Sequence, residues 1–344
     1  MDSLLAVDVG GGTQDILLYE QGKPLENCIQ LVLPAPTVLV GRKINLATIR
    51  GKTIFLYGRT MGGGPSVKAI KEHITAGFPV YATTEAALTI HDNLEKVQEM
   101  GIILTADKPE EAEAVRLGDL DLQMLEQILL KVGYTLPAQI AVAVQDHGYS
   151  PRQSNRIFRF RLWEEFMKSG GKLPDLAYRT VPSVFTRMQA IKLDVPDALL
   201  MDTCGAALLG ALSDSVVREA AEKSIVTVLN LGNQHSFAAL VHQDQVLGLF
   251  EHHTAKMTAK KARGYLERLC GATLTNKEVQ DDGGHGCIPP EKPVRTGLIV
   301  VTGPRRALLS AGDYYFAAPQ GNMMLMGCFG LIAAANSLKR DRLP

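Results

Sequence analysis

The chain has 344 residues, enough for two domains. Hydrophobic residues make up 46% of it, which can fill two cores and leaves no segment that reads as disordered by composition. Lys plus Arg and Asp plus Glu number 36 each, so the formal net charge is zero. That balance argues against a general nucleic-acid binder and against electrostatic attraction to an anionic membrane.

The first residues run straight into the strand-like Leu4-Leu5-Ala6-Val7, with no basic stretch followed by a long apolar one, so no leader is expected. Five scattered cysteines, Cys28, Cys204, Cys270, Cys287 and Cys328, fit reduced thiols in a cytoplasm better than a disulfide framework. The apolar run at residues 323–335 is broken by Gly327 and Gly330. It is shorter than the roughly 20 residues that a membrane span needs.

In chain order, residues 3–9 and 14–20 read as two strands flanking a glycine triplet, with a third strand near 25–33 before Pro34 and Pro36. Residues 37–118 read as an inserted small α/β module: a strand at 53–58, a loop containing Gly62, Gly63 and Gly64, a helix from Pro65, a strand at 80–83 and a helix at 91–100. Leu122, Leu125, Leu129 and Val132 recur at helical spacing within 119–132. Residues 138–144 form a buried strand ending in Gln145-Asp146-His147-Gly148, followed by a helix through Ile157, Phe158 and Trp163. A strand at 199–201 precedes a small-residue helix at 205–212. From about Ser224, strands at 225–231, 236–241 and 246–250 repeat the opening of the chain. A helix at 258–270, a polar loop at 281–287, a strand at 298–302, a short helix at 304–310 and a last helix at 321–336 complete it.

The most informative segment is Asp8-Val9-Gly10-Gly11-Gly12-Thr13-Gln14-Asp15. Three glycines at a strand-strand corner allow backbone to approach a ligand closely. Their N–H groups can converge on a phosphate oxygen, Thr13 adds a hydroxyl, and Asp8 at a buried strand end can hold Mg²⁺. A plain tight hairpin turn is the competing reading.

This segment resembles the first phosphate loop of the actin, sugar-kinase and heat-shock-chaperone superfamily. Further segments match in order: Ala141 to His147, the strand facing the γ-phosphate; Asp202 to Ala211, the helix joining the lobes; Val300 to Arg305, the adenosine-binding turn; and Gly321 to Gly330, the second connecting helix. The resemblance implies two ribonuclease H-like α/β lobes, the actin-like ATPase fold, at residues 1–220 and 221–344. The insert at 37–118 lies in the first lobe, and the last helix returns to that lobe. It implies ATP and Mg²⁺ between the lobes, contacted by Asp8, Gly10, Gly11, Gly12, Thr13, Asp15, Gly232, Asn233, His235, Gly303 and Arg305, with Arg305 lying against the adenine. The second phosphate loop departs from the family pattern: Asn230 replaces a carboxylate, and the side chains of Asn233 and Gln234 narrow the backbone approach. Binding of a phosphate-bearing ligand therefore follows more directly than its turnover.

Gln145 to Pro151, Phe250 to Thr254 and Thr302 to Arg306 look closer still to an uncharacterised prokaryotic family often labelled "putative pyruvate formate-lyase activating enzyme". That label implies radical chemistry on an iron–sulfur cluster, whereas no three cysteines lie close together in the sequence.

Asp146 and His147, at a strand end, and Asp202 are the candidate catalytic residues. Either aspartate is also a natural helix cap. His252 and His253 are candidate metal ligands with Asp8, and His285 and Cys287 stand in a glycine-rich loop. Arg59 and Lys68, beside Gly62, Gly63 and Gly64, are placed to meet an anionic substrate.

The reading that results is an ATP-dependent phosphotransferase or ATPase acting on an unknown small molecule or protein, with no nucleic-acid or membrane partner. Two alternatives remain beside it: a nucleotide-binding regulator or assembly factor that does not hydrolyse, and a metal-dependent enzyme built on the histidines.

Overall fold

The computed structural model describes residues 3–309, 312 and 314–340, the last without its side chain. The chain opens with β1 (Ser3–Val9), β2 (Thr13–Glu20) and β3 (Ile29–Pro34), an antiparallel meander. β1 is buried on both faces. Leu4 and Ala6 point into one core, and Leu5, Val7 and Val9 into another, as the two-residue period of a strand requires.

After β3 the chain leaves the sheet. Pro36 occupies the first turn of a helix, where its missing N–H costs nothing, so α1 (Pro36–Ile49) starts where the sequence suggested only a break. β4 (Ile54–Gly58), α2 (Pro65–Thr75), β5 (Val80–Ala82), α3 (Thr84–Ala87), α4 (Leu94–Glu99), β6 (Ile102–Leu104) and β7 (Glu113–Leu117) follow. The four strands form an all-parallel sheet in the order β6-β5-β4-β7, with a core of its own around Ile44, Leu56, Ile70 and Leu117.

The chain then returns through α5 (Leu122–Lys131) to β8 (Ile140–Val144), α6 (Asn155–Lys168), β9 (Ala177–Tyr178), α7 (Thr186–Asp194) and β10 (Leu199–Met201). β8 lies parallel to β1, and β10 parallel to β8, giving the order β3-β2-β1-β8-β10-β9. α8 (Thr203–Ala211) and α9 (Ser215–Lys223) lead to the second sheet. Its β11 (Val226–Leu231), β12 (His235–His242) and β13 (Gln245–His253) form another antiparallel meander, followed by α10 (Ala259–Cys270), α11 (Asn276–Asp281), β14 (Gly286–Ile288), β15 (Leu298–Thr302) and β16 (Tyr315–Phe316). The sheet order is β14-β13-β12-β11-β15-β16, with β15 parallel to β11 and β16 parallel to β15.

Both sheets therefore place a parallel strand, β8 or β15, beside the first strand of a three-stranded meander, and a second parallel strand, β10 or β16, beyond it. Two ribonuclease H-like α/β sheets of matching plan make the actin-like fold. The short helix expected at 304–310 is a 3-10 turn at Arg306–Leu309, and Ser310 lies outside the described residues.

The last helix, α12 (Met326–Arg340), crosses α8 between the two sheets. One continuous core holds Ala6 and Ala143 of the first sheet, Ala206 and Leu208 of α8, Phe329 and Leu331 of α12, and Val228 and Phe237 of the second sheet. The helices cross at backbone distance. A Cβ on Gly330 would stand 1.8 Å from the Ala206 carbonyl oxygen, and one on Gly210 1.9 Å from that of Met326. Small residues at these positions are a packing requirement.

Candidate functional site

The strand ends of both sheets open into a cavity of about 300 Å³, within the range of small-molecule sites. Gly10 and Gly11 of the β1–β2 corner line it from the first lobe, and Gly232, Asn233, Gln234 and His235 of the β11–β12 corner from the second. Asp146, His147 and Arg187 form one wall, and Met61 to Gly64 of the insert another. The two corners touch. Gln234 donates its side-chain amide to the Gly11 carbonyl at 3.2 Å. A Cβ on Gly11 would meet the Gln234 side chain at 2.3 Å, and one on Gly12 the Asn233 amide at 2.8 Å. The glycines are thus needed for this contact, and the two amide side chains occupy the space above the corner.

Asp8 and Asp15 face each other across the β1–β2 pair. Asp8 accepts the Thr203 hydroxyl at 2.9 Å, and burial raises its pKa to about 7. Burial and the neighbouring Asp8 raise that of Asp15 to about 8. Oδ1 of Asp15 is buried without a hydrogen-bond partner. Beneath them, Gly327 leaves room for the Asp8 carboxylate: a Cβ there would lie 2.0 Å from Oδ2.

The expected catalytic carboxylates are otherwise engaged. Asp146 accepts the backbone N–H of Gly148 at 2.8 Å and of Met188 at 2.9 Å, one on each oxygen. Burial still raises its pKa to about 6. Asp146 lines the cavity and also pins the turn after β8 to the first turn of α7. Asp202 caps α8 through the Cys204 N–H and receives both terminal nitrogens of Arg159, at 2.8 and 3.1 Å. It thus holds Arg159 and the start of α8 together.

Arg159 is the buried hub between the lobes. Its Nε donates to Glu251 on β13 at 2.7 Å and its Nη1 to the Asp146 carbonyl at 2.8 Å. Glu251 is fully buried. The Arg159 guanidinium, and behind it the neighbouring histidines, hold its carboxyl far below the usual range despite desolvation. Its other oxygen accepts the side-chain amide of Gln145. A second arginine, Arg187, donates to Asp119 through two nitrogens, at 2.5 and 2.8 Å, and to the Gln145 carbonyl at 2.7 Å. Asp119 also accepts the Gly62 N–H, which ties the insert's glycine loop to the cavity wall.

Four histidines gather beside this hub. His235 and His253 are direct partners across β12 and β13, so their side chains share a face, with ring centroids 5.1 Å apart. His285 packs on both, at 4.9 and 4.8 Å. His147 of the first lobe places Nε2 3.1 Å from Nε2 of His285. Burial lowers the pKa of His235 to about 4 and of His285 to about 3, and also that of His147, so all three are neutral near pH 7. His252, expected as a metal ligand, points the other way. It is the strand neighbour of His253 and so lies on the opposite face, where Nε2 meets Asp282 at 2.9 Å and Nδ1 meets the His253 carbonyl. Asp8 lies apart from this group: among the described residues the one set of three or more His, Cys, Asp or Glu side chains close enough to share an ion is His235, His253 and His285.

The remaining expected contacts separate. Gly303 has φ 94°, and Arg305 donates its N–H to the Leu231 carbonyl at 2.9 Å. Arg305 is exposed, and neither residue lines the cavity. Arg59 is held by Glu85 and Asp194, whereas Lys68 is an exposed side chain beside Glu72 and lines a shallow groove with Gly63 and Gly64. Cys287 donates to the Leu274 carbonyl and stays out of the histidine cluster. Arg159, Glu251, Arg187, Asp119 and Thr203 were not singled out from sequence: nothing in their spacing distinguishes them from surface charges or polar loop residues.

Residues 61–308 match the family described as "Putative pyruvate format-lyase activating enzyme (DUF1786)". The chain belongs to this family. Among solved structures it is similar to a Bacteroides thetaiotaomicron protein with actin-like ATPase fold and unknown function, at 8% identity over 95% of both chains with a TM-score of 0.36. It is similar to the apo psk41 ParM protein at 10% identity over 98% of both chains, TM-score 0.35. An Aquifex aeolicus member of the Ppx/GppA family shares 11% identity over 92% of this chain and 72% of that one, TM-score 0.31. No curated protein sequence matches. The family's name invokes iron–sulfur chemistry, which needs grouped thiolates. Cys204, Cys287 and Cys328 are buried in separate places, and no cysteine belongs to a ligand cluster among the described residues, so the donor set does not fit such a centre.

Proposed function

We propose that the cleft binds a nucleoside triphosphate with Mg²⁺ and that the protein is an ATP-dependent phosphotransferase or ATPase acting on an unknown small molecule or protein. The observation that carries this reading is the facing of the two corners: Gly10, Gly11 and Gly12 of one lobe stand against Gly232, Asn233 and Gln234 of the other across a cavity. Phosphate oxygens would be received by the N–H groups of Gly11 and Gly12 and the Thr13 hydroxyl, the Gly10 N–H being given to the Thr13 carbonyl at 2.9 Å. Asp8 and Asp15 suit a hard divalent cation: two adjacent carboxyl groups are held out of water with one oxygen unpartnered, and a cation would supply the missing compensation. When bound, Mg²⁺ would neutralise charge on the phosphate oxygens. Binding requires Asn233 and Gln234 to swing off the glycines, which lobe opening permits.

A second reading, a regulator or assembly factor that binds without hydrolysis, is favoured by Asn230 at the position of the second carboxylate and by the backbone and Arg159 contacts that Asp146 and Asp202 already make. Calorimetry with ATP and Mg²⁺ tests the shared claim. A saturating ligand at about 100 times its Kd adds about 2.7 kcal/mol. That is a rise in Tm of about 4 °C for a chain of this length. Gln234→Ala, which clears the corner, is expected to tighten binding. Millimolar ATP with Mg²⁺ that shifts neither protein would remove the reading, and a phosphate-release assay then separates its two forms.

A further inference from the structure

We propose that His235, His253 and His285 form a binding site for one divalent first-row transition metal ion, in the class of Zn²⁺, at the second-lobe end of the cavity. The three side chains each offer a ligand atom, and these atoms all lie within 4.8 Å of one another. Around a tetrahedral zinc with Zn–N bonds of about 2.0–2.1 Å, nitrogen atoms stand about 3.3–3.4 Å apart. The triad therefore needs a contraction of roughly 1.4 Å, within reach of small side-chain rotations. The strands already do most of the assembly: His235 and His253 are cross-strand partners, and His285 immediately precedes Gly286, which pairs with Glu251 in β14.

Independent observations point to a missing ligand. Nδ1 of His285 is buried with no hydrogen-bond partner, although the residue is only 1% exposed. The rings of His235 and His253 have no hydrogen-bond partner among the described residues either. Three imidazoles packed ring against ring, one of them with a buried unpartnered nitrogen, are well suited to a cation. The surroundings also match the outer support that metal-bound histidines receive. Nε2 of His285 meets Nε2 of His147 at 3.1 Å, leaving Nδ1 for the metal, and Glu251, held by Arg159 and Gln145, stands behind that pair with Oε1 3.9 Å from His285. His235 lines the cavity directly after Gln234, as does His147, so the triad adjoins the cleft through His235.

The site is separate from the carboxylate pair Asp8 and Asp15, and its test uses metal alone, so it stands or falls apart from nucleotide binding. The full chain is stripped with chelator and titrated with Zn²⁺ by calorimetry and with Co²⁺ by visible absorption. One equivalent is expected, with the intense ligand-field bands of low-coordinate Co²⁺. His235→Asn and His253→Asn, whose side chains are part-exposed and whose folding is checked by thermal melting, are each expected to weaken binding at least about tenfold. His252→Asn, one residue along but on the opposite face, is expected to keep it. Absence of a stoichiometric site in the wild type, or binding that survives His235→Asn and His253→Asn, would overturn the proposal. So would binding lost equally in a folded His252→Asn.

Discussion

Replacing Arg159 by Met tests whether the two lobes are locked through one buried guanidinium. Arg159 is 3% exposed and gives hydrogen bonds to Glu251, to both oxygens of Asp202 and to the Asp146 carbonyl. Met fills much of the stem's volume but leaves two carboxylates buried without their cation. Breaking a buried pair in this way costs about 3–5 kcal/mol. With an unfolding entropy of about 2.1 cal/mol/K per residue, a chain this long carries about 0.7 kcal/mol per degree, so Tm is expected to fall by about 4–7 °C. Differential scanning calorimetry measures it, with far-UV circular dichroism to show that the variant folds. Glu251→Gln in the Arg159→Met background removes one of the stranded charges, and the double variant is expected to recover at least about 1 kcal/mol relative to additivity. A fall of less than about 1 °C, or strict additivity in the double-mutant cycle, would refute the lock.

Asp15→Asn is expected to stabilise the metal-free protein by an amount that grows with pH. The native carboxyl, raised to about 8 from an ordinary 3.8, binds more protons than the unfolded one between those values, so wild-type stability declines relative to the variant as pH rises toward 8, by at most about 1.4 kcal/mol per pH unit. Chemical unfolding at pH 5, 6, 7 and 8 reads the slope, and a difference independent of pH contradicts the raised pKa. His285→Gln should show the opposite slope. The native imidazole, lowered to about 3, stays neutral while the unfolded one protonates below about 6.5, so the wild type loses stability relative to the variant as pH falls from 6.5. Two glycines should part company in thermal melts. Gly330→Ala drives a Cβ into the Ala206 carbonyl and is expected to cost about 1–3 kcal/mol, whereas Gly264→Ala meets nothing within 4 Å and is expected to gain up to about 1 kcal/mol. Equal effects at the two positions would contradict the backbone-contact geometry of α8 and α12.

The central strands of both sheets were legible because each is a short apolar run bounded by glycine, proline or polar turns, whereas the short edge strands β9, β14 and β16 carry no such run. The hairpin around Gly10, Gly11 and Gly12 could be read from its flanks alone. α1 was not legible: Pro34 and Pro36 end a strand pattern as readily as they begin a helix, and only the departure of the chain from the first sheet decides between them. The polar site was the less readable part. His252 and His253 are equivalent in sequence, and the strand's alternation sends one to Asp282 and the other to His235. Asp146 and Asp202 stand at strand ends, as catalytic carboxylates often do, yet backbone amides and Arg159 occupy their oxygens.

By itself the sequence determined the α/β class, the doubled plan of the two sheets, the glycine corner and the small residues of α8 and α12, because these follow from local periodicity and from what backbone geometry tolerates. Tertiary structure alone decided that Arg159 pairs with Glu251, that Gln234 rests on Gly11, and that His147, His235, His253 and His285 meet. Those contacts join residues far apart in the chain. A side chain's charge or lone pair carries no local mark of the partner that will satisfy it.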